Sequence, residues 1–166
     1  MPPDTDPPFV VRRATEKDLP AIGPLGAALV RQHYSFDQQR FMKPPPDIER
    51  GYAWFLGRQL KEDNVAIFVA ERGGAIVGYV YAGVEPQSWK ELRDQAGFIH
   101  DVLVSPEAQR QGIARALVEA ACDWFRSIGM PRVILWTAEK NEPAQQLFIR
   151  ARFRRTMIEM TRELDG

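Results

Sequence analysis

The residues Gln109-Arg110-Gln111-Gly112-Ile113-Ala114 stand between a β-branched run, Phe98 to Val104, and a long amphipathic run that ends near Ile128. At the start of a helix, successive backbone N–H groups have no intrahelical partner, and the helix dipole adds partial positive charge. Such a terminus suits a phosphate or pyrophosphate. Gly112 lets a ligand approach the backbone closely, Ala114 leaves the first turn unobstructed, and Arg110 and Arg115 add charge. Taken alone, the pattern is equally that of an ordinary helix start.

The elements that must hold this turn follow from the hydrophobic periodicity. Residues 1–8 hold four prolines and two aspartates and read as a flexible tail ahead of one domain over 9–166. A short strand at Phe9–Arg12 leads to a helix carrying Leu19, Ile22, Leu25, Leu29 and His33, capped by Thr15 or Asp18. Gly23, Pro24 and Gly26 predict a kink or late start in it. After Pro44-Pro45-Pro46, Asp47 opens a second helix with Ile48, Tyr52, Phe55 and Leu56 inward. Val65–Glu71 and Ala75–Val84 read as strands joined by a Gly73-Gly74 hairpin turn. A helical turn is expected at Ser88–Asp94, then the strand Phe98–Val104. The central helix, Gly112–Ile128, has Ile113, Leu117, Ala120, Ala121, Trp124 and Ile128 on one stripe. A strand at Val133–Thr137, a helix opened by Asn141, and a final strand at Thr156–Arg162 complete the order. The fold class is mixed α/β: one domain with a mainly antiparallel, twisted sheet flanked by helices, and a βαβ crossover through the central helix.

Bulk properties narrow the function. With 166 residues, 45% hydrophobic and 27% charged, the chain has the composition of an ordinary globular protein. Its 22 basic residues balance 22 acidic ones, so there is no global basic field for nucleic acid. Cys122 is the single cysteine and reads as a buried small hydrophobe. No apolar run reaches the ~20 residues a bilayer crossing needs, and there is no signal-peptide pattern. The expectation is a cytoplasmic protein without membrane or nucleic-acid partners. The Gly-x-x-x-x-Gly-Lys-Ser/Thr pattern of P-loop hydrolases is missing.

Val102-Leu103-Val104-Ser105-Pro106 before the turn, and Asn141-x-x-Ala144-x-x-Leu147 about thirty residues later, make the turn part of a larger pattern. Together these segments resemble the GNAT superfamily of acyl-CoA-dependent N-acetyltransferases. The likeness runs from Phe9 to Arg162 and is most specific from Phe98 to Phe153. It implies that backbone N–H groups in Gln109, Arg110, Gln111, Gly112, Ile113, Ala114 and Arg115 cradle the coenzyme A pyrophosphate. It also implies that Val102, Leu103 and Val104 pair with the pantetheine arm, where an N–H at Val102 or Val104 polarises the thioester carbonyl. The strands Phe98–Val104 and Val133–Thr137 would splay to admit that arm, with Asn141 bonding it or a nearby water and Phe148 beside it. The cosubstrate is then acetyl-CoA, no metal is called for, and the acceptor is a primary amine that attacks directly.

Two positions depart from the family pattern. Phe148 stands where a tyrosine often protonates the departing thiolate, and Arg152-Phe153 stands where a Gly-Phe pair is usual. An alkyl thiol with pKa ~8.5 leaves as thiolate at a cost of roughly 2 kcal/mol at pH 7, so the loss slows the reaction without forbidding it. Tyr34, Tyr52, Tyr79 and Tyr81 are other hydroxyls, unranked by sequence. An amine of pKa ~10.4 costs about 4.6 kcal/mol to deprotonate at pH 7, so a base is needed. His100 and Asp101 are adjacent on a strand, and alternation places them on opposite faces, with only one toward the acyl pocket. Asp101 is the first candidate because a carboxylate there also attracts a cation; Glu85 is the second. His33-Tyr34, Tyr52, Trp54, Phe55 and Trp89 would wall the acceptor side. The resemblance leaves the acceptor open, and it extends to a homodimer in which the C-terminal strand pairs or swaps across chains. The alternative is an acyl-CoA-binding sensor or interaction module with little or no catalysis.

Overall fold

The computed structural model describes residues 8–164, so the expected tail lies outside the described residues except for Pro8. Five strands form one sheet in the order β1-β2-β3-β4-β5: β1 Phe9–Arg13, β2 Val65–Arg72, β3 Ala75–Glu85, β4 Ala96–Val104 and β5 Val133–Leu135. The first four are antiparallel, and β5 joins β4 in parallel after the crossover through the helix α3, Ile113–Ser127. The mixed α/β class and the crossover expected from the sequence are both present. Gly73 and Gly74 make the β2–β3 hairpin because both take positive φ, 58° and 78°, which side chains resist.

One face of the sheet carries α1, Leu19–Phe36, and α2, Ile48–Gln59; Ile22 and Leu56 bury there against Val65, Ile67, Val69, Tyr79 and Tyr81. The other face carries α3, with Ile113, Leu117, Val118, Ala121 and Phe125 on Val80, Ala82 and Ile99. Phe148 of α4, Glu142–Arg150, packs at the margin of that second core.

Several expectations need correction. The helix α1 runs from Leu19 without a break, because Gly23 and Gly26 are where α2 comes close rather than where α1 fails. A Cβ at Gly23 would lie 2.5 Å from the Glu49 carbonyl, and one at Gly26 would lie 2.7 Å from Tyr52 Cγ and closer to other ring atoms. The 3-10 turn Glu16–Asp18 enters α1 through a Thr15–Asp18 capping box, held by Arg12 Nη1 at 2.8 Å from Asp18. Asp47 sits at the N-cap of α2 with φ 59°, but its side chain makes no cap bond. Phe55, expected inward, is partly exposed.

The buried stripe of α3 is rotated from the expected one. Phe125 rather than Trp124 turns fully inward, because Gly97 on β4 leaves a notch that the Phe125 ring fills. Trp124 moves to the side, where Arg13 stacks on it, and Ile128 is 43% exposed. Residues 88–94 form a loop closed by a Ser88–Arg93 bridge, not a helical turn. The expected strand Thr156–Arg162 joins no sheet in this chain.

Candidate active site

The β4 strand decides the site, because its pattern breaks in the middle. Ala82 pairs with Ile99 and Tyr81 pairs with Asp101, so His100 is an extra residue, a β-bulge. A bulge advances the two-residue alternation by one step. Ile99 therefore faces α3, whereas Phe98, His100, Asp101 and Leu103 all face α1 and α2. The expectation that His100 and Asp101 point to opposite faces is wrong for this reason. Both lie on one side.

The same step governs the backbone. Gly97 N–H bonds Arg132 O on the β5 side, while Ser105 N–H bonds Val77 O on the β3 side. Alternation back from Ser105 points Leu103 toward β3 and Val102 and Val104 away from it. Pairing with β5 ends at Ile99–Leu135, and β4 continues to Val104. Among the described residues no strand covers that side of Val102 and Val104, and the two strands part at the bulge as the resemblance implies.

At the end of β4, Ser105 and the 3-10 turn Pro106–Ala108 lead into an exposed loop. Arg110 and Gly112 both take left-handed backbone, φ 63° and 81°. For arginine this is an uncommon conformation, and it concentrates backbone dipoles into a concavity of the kind that binds anions. No atom lies within 4 Å of a Cβ placed on Gly112, so the space above the loop is open. The first intrahelical bond is Ala116 N–H to Gly112 O at 3.0 Å, which leaves the N–H groups of Ile113, Ala114 and Arg115 ahead of any i−4 partner. Arg72 at the end of β2 bonds Gln111 Oε1 and so brings a guanidinium to the loop that carries Arg110. Its distance in sequence hid it; the only signal was its place at the mouth of the Gly73-Gly74 hairpin. Gln109 turns back, and its Nε2 bonds Val104 O at 3.1 Å, steadying the strand end.

Asn141 is the N-cap of α4: its Oδ1 accepts Ala144 N–H at 3.3 Å. Phe148 packs edge-on against Phe153, ring centres 5.9 Å apart. On the face under α1 and α2, Asp101 is mostly buried and its Oδ2 accepts the Tyr52 hydroxyl and, at 2.9 Å, the Tyr79 hydroxyl. Burial pushes the Asp101 carboxyl above its usual range, against the two phenols that pull it down. Burial and the neighbouring Asp101 charge raise Tyr52 and Tyr79, and raise Tyr81 to about 12, so all three remain protonated donors at neutral pH. Glu85, the second candidate, lies beside His100, where its Oε1 accepts from Nε2 at 3.0 Å. Of the four tyrosines left unranked by sequence, Tyr52 and Tyr79 meet Asp101, and Tyr81 donates to Gln59 at 2.9 Å. Trp89, at 86% exposure, stands out in solvent.

The sequence and the fold have counterparts among known proteins. The model of the acetyltransferase (GNAT) family matches residues 28–152. The chain belongs to that family. An uncharacterized N-acetyltransferase from Archaeoglobus fulgidus is 27% identical over 149 residues, covering 87% of this chain and 92% of its own. A mycothiol acetyltransferase from Thermomonospora curvata is 32% identical over 98 residues, covering 59% of this chain. This chain's match spans only 31% of that relative, and 60% of an uncharacterized N-acetyltransferase from Methanocaldococcus jannaschii. Among solved structures, aminoglycoside N-acetyltransferase AAC(6')-Iy in complex with CoA superposes with a TM-score of 0.77 over the whole of both chains, at 17% identity. A transcriptional regulator from Bacillus halodurans superposes at 0.73, with 23% identity over 95% of this chain. These two give the GNAT fold alone. Among the described residues, no helix is long and apolar enough to cross a membrane.

Proposed function

We propose that this GNAT protein transfers an acetyl group from acetyl-CoA to a primary amine by direct attack. The observation that carries the reading is the stretch of β4 beyond the bulge. Its Val102 and Val104 N–H groups are aimed at an uncovered edge that ends at the Gly112 loop. Pantetheine is peptide-like and adds to such an edge as a strand would. The residues fit the nucleotide end as well: open left-handed backbone at Arg110 and Gly112, spare N–H groups through Arg115, and the guanidinium that Arg72 brings to the loop. In this reading Val102, Leu103 and Val104 hold the arm, Gln109 to Arg115 hold the pyrophosphate, and Asn141 and Phe148 line the slot beside it. One of the backbone N–H groups stabilises the oxyanion.

The acceptor enters from the α1–α2 side, where Asp101 and Glu85 supply negative charge and Tyr52, Tyr81 and Phe55 supply aromatic walls. Negative charge at that mouth draws a cationic amine. We place the reaction in the cytoplasm and leave the identity of the amine to experiment. A homodimer also belongs to the reading. Residues 154–164 expose Met157, Ile158, Met160 and Leu164 at 81–91%, and β5 has an unpaired outer edge among the described residues, so an exchanged strand would satisfy both.

The second reading, an acyl-CoA-binding module with little catalysis, is favoured by Phe148 at the usual acid position. A thiol-release assay with acetyl-CoA across a panel of amines, alongside thermal unfolding with and without CoA, separates the two. Turnover with any amine, lost in Gly112→Glu, supports the transferase. Stabilisation by CoA without turnover supports the module, and no stabilisation by CoA defeats both.

A further inference from the structure

We propose that His100, oriented by Glu85, takes the proton from the acceptor amine, while Asp101 anchors the ammonium without serving as the base. The inference rests on the acetyltransferase reading and deepens it. The bulge places both side chains on the acceptor face, which strict alternation would forbid, and it does so at the residue where β4 loses β5. The two differ in their surroundings. Asp101 Oδ2 already accepts two phenolic protons and the group is mostly enclosed. His100 keeps an open edge, with its side chain 30% exposed. Its ring is fixed between Tyr81, centroids 4.8 Å apart, and Phe98, stacked at 17°. The Nε2–Glu85 contact of 3.0 Å selects the tautomer with hydrogen on Nε2 and leaves Nδ1 as the free base.

The charged and titratable groups facing His100 are Glu85 and Tyr81 from β3, Asp101 from β4, and Arg93, whose guanidinium lies 4.7 Å over Phe98 and pairs with Glu91.

The step balances as follows. The acceptor ammonium gives one proton to His100 Nδ1, and the freed amine forms the N–C bond to the thioester carbonyl. The C–S bond breaks with its electron pair on sulfur, and the surplus proton on nitrogen passes to that thiolate. His100 then returns its proton to water through its open edge.

The test compares wild type, His100→Gln, Glu85→Gln and Asp101→Asn with acetyl-CoA and three amines: 1,4-diaminobutane, Nα-acetyl-lysine and a 2-deoxystreptamine aminoglycoside. Thermal stabilisation by CoA verifies folding. His100→Gln is expected to lower kcat/KM by 10²- to 10³-fold and remove the acid limb of its pH profile. Asp101→Asn is expected to raise the amine KM about tenfold and keep that limb. Glu85→Gln falls between, with the limb kept. A limb that survives in His100→Gln, or disappears in Asp101→Asn, overturns the proposal and leaves the transferase reading standing. No turnover by the wild type with any amine, while CoA still stabilises it, overturns the transferase reading and this proposal together.

Discussion

Replacing Gly26 by alanine tests the packing that delivers Tyr52 to Asp101. In isolation the change favours α1, because alanine in a helix interior is about 1 kcal/mol better than glycine. Here the added Cβ would sit 2.7 Å from Tyr52 Cγ and nearer to the adjacent ring carbons, so the ring must move. Overpacking of this kind costs about 1–3 kcal/mol. Displacing the phenol from its carboxylate costs about 1.5–3 kcal/mol more. The net is about 2–4 kcal/mol of destabilisation, which for a domain of this size lowers Tm by roughly 5–15 °C. A double-mutant cycle with Tyr52→Ala isolates the cause. Once the ring is gone, Gly26→Ala keeps only the helix term and should stabilise by about 0.5–1 kcal/mol. Tyr52→Phe is intermediate, because the overlap remains while the hydroxyl bond is already lost. Thermal or urea unfolding of the four proteins gives the sign directly. If Gly26→Ala costs the same with and without the Tyr52 ring, the notch is not what seats Tyr52, and the account of Asp101's surroundings fails.

Other outcomes follow from named contacts. Asp101 has a raised carboxyl pKa, so the folded state binds its proton more tightly than the unfolded chain, and this group's contribution to stability falls as pH rises from about 4 through the folded pKa. Asp101→Asn should therefore gain stability relative to wild type across that window, as read by urea midpoints at several pH values. Asp18 behaves oppositely, because Arg12 lowers its pKa: stability from the pair is present above about pH 4 and lost below it as pH passes the folded pKa. Asp18→Ala should cost about 2–3 kcal/mol at pH 7 and little in acid, checked by the same measurement. Arg72→Ala should weaken CoA stabilisation at low salt and change it little at high salt, since the guanidinium acts as one exposed charge near the loop. Met160→Glu should shift the protein toward monomer by light scattering if residues 154–164 pair across chains, and leave mass unchanged if they do not.

Where residue types carried their own instruction, the sequence was sufficient. The Gly73-Gly74 turn, the strands β2 and β3 and the helix start at Asn141 are local features, and each appears where the sequence puts it. Features that require a partner from elsewhere were not legible. Gly26 reads as a helix weakener until Tyr52, half the chain's α-helical hairpin away, is laid against it. Phe125 and Trp124 have similar periodicity, and the choice between them is made by Gly97 on a different element. Arg72 reaches Gln111, thirty-nine residues further on, only once β2, β3 and β4 lie side by side in the sheet.

The bulge at His100 is the case with the largest consequence. A rule of strict alternation forces a choice between His100 and Asp101, and nothing in the residue types announces that the rule is suspended there. The bulge brings the imidazole and the carboxylate to the same face, and it lies where the pairing with β5 stops and the donors of Val102 and Val104 point away from β3. Deletion of His100 would restore plain alternation without turning the rest of the strand: Asp101 would follow Ile99 directly and stay opposite Tyr81, and Val102 and Val104 would still point away from β3. Such a variant should keep the CoA-dependent stabilisation contributed by the Gly112 loop and by β4, and lose most acetyl transfer with the imidazole. Calorimetry with CoA and with adenosine 3',5'-bisphosphate, which lacks the pantetheine arm, separates the two contributions. If the deletion variant transfers acetyl as fast as wild type while still distinguishing CoA from the bisphosphate, the residue added by the bulge has no part in the chemistry.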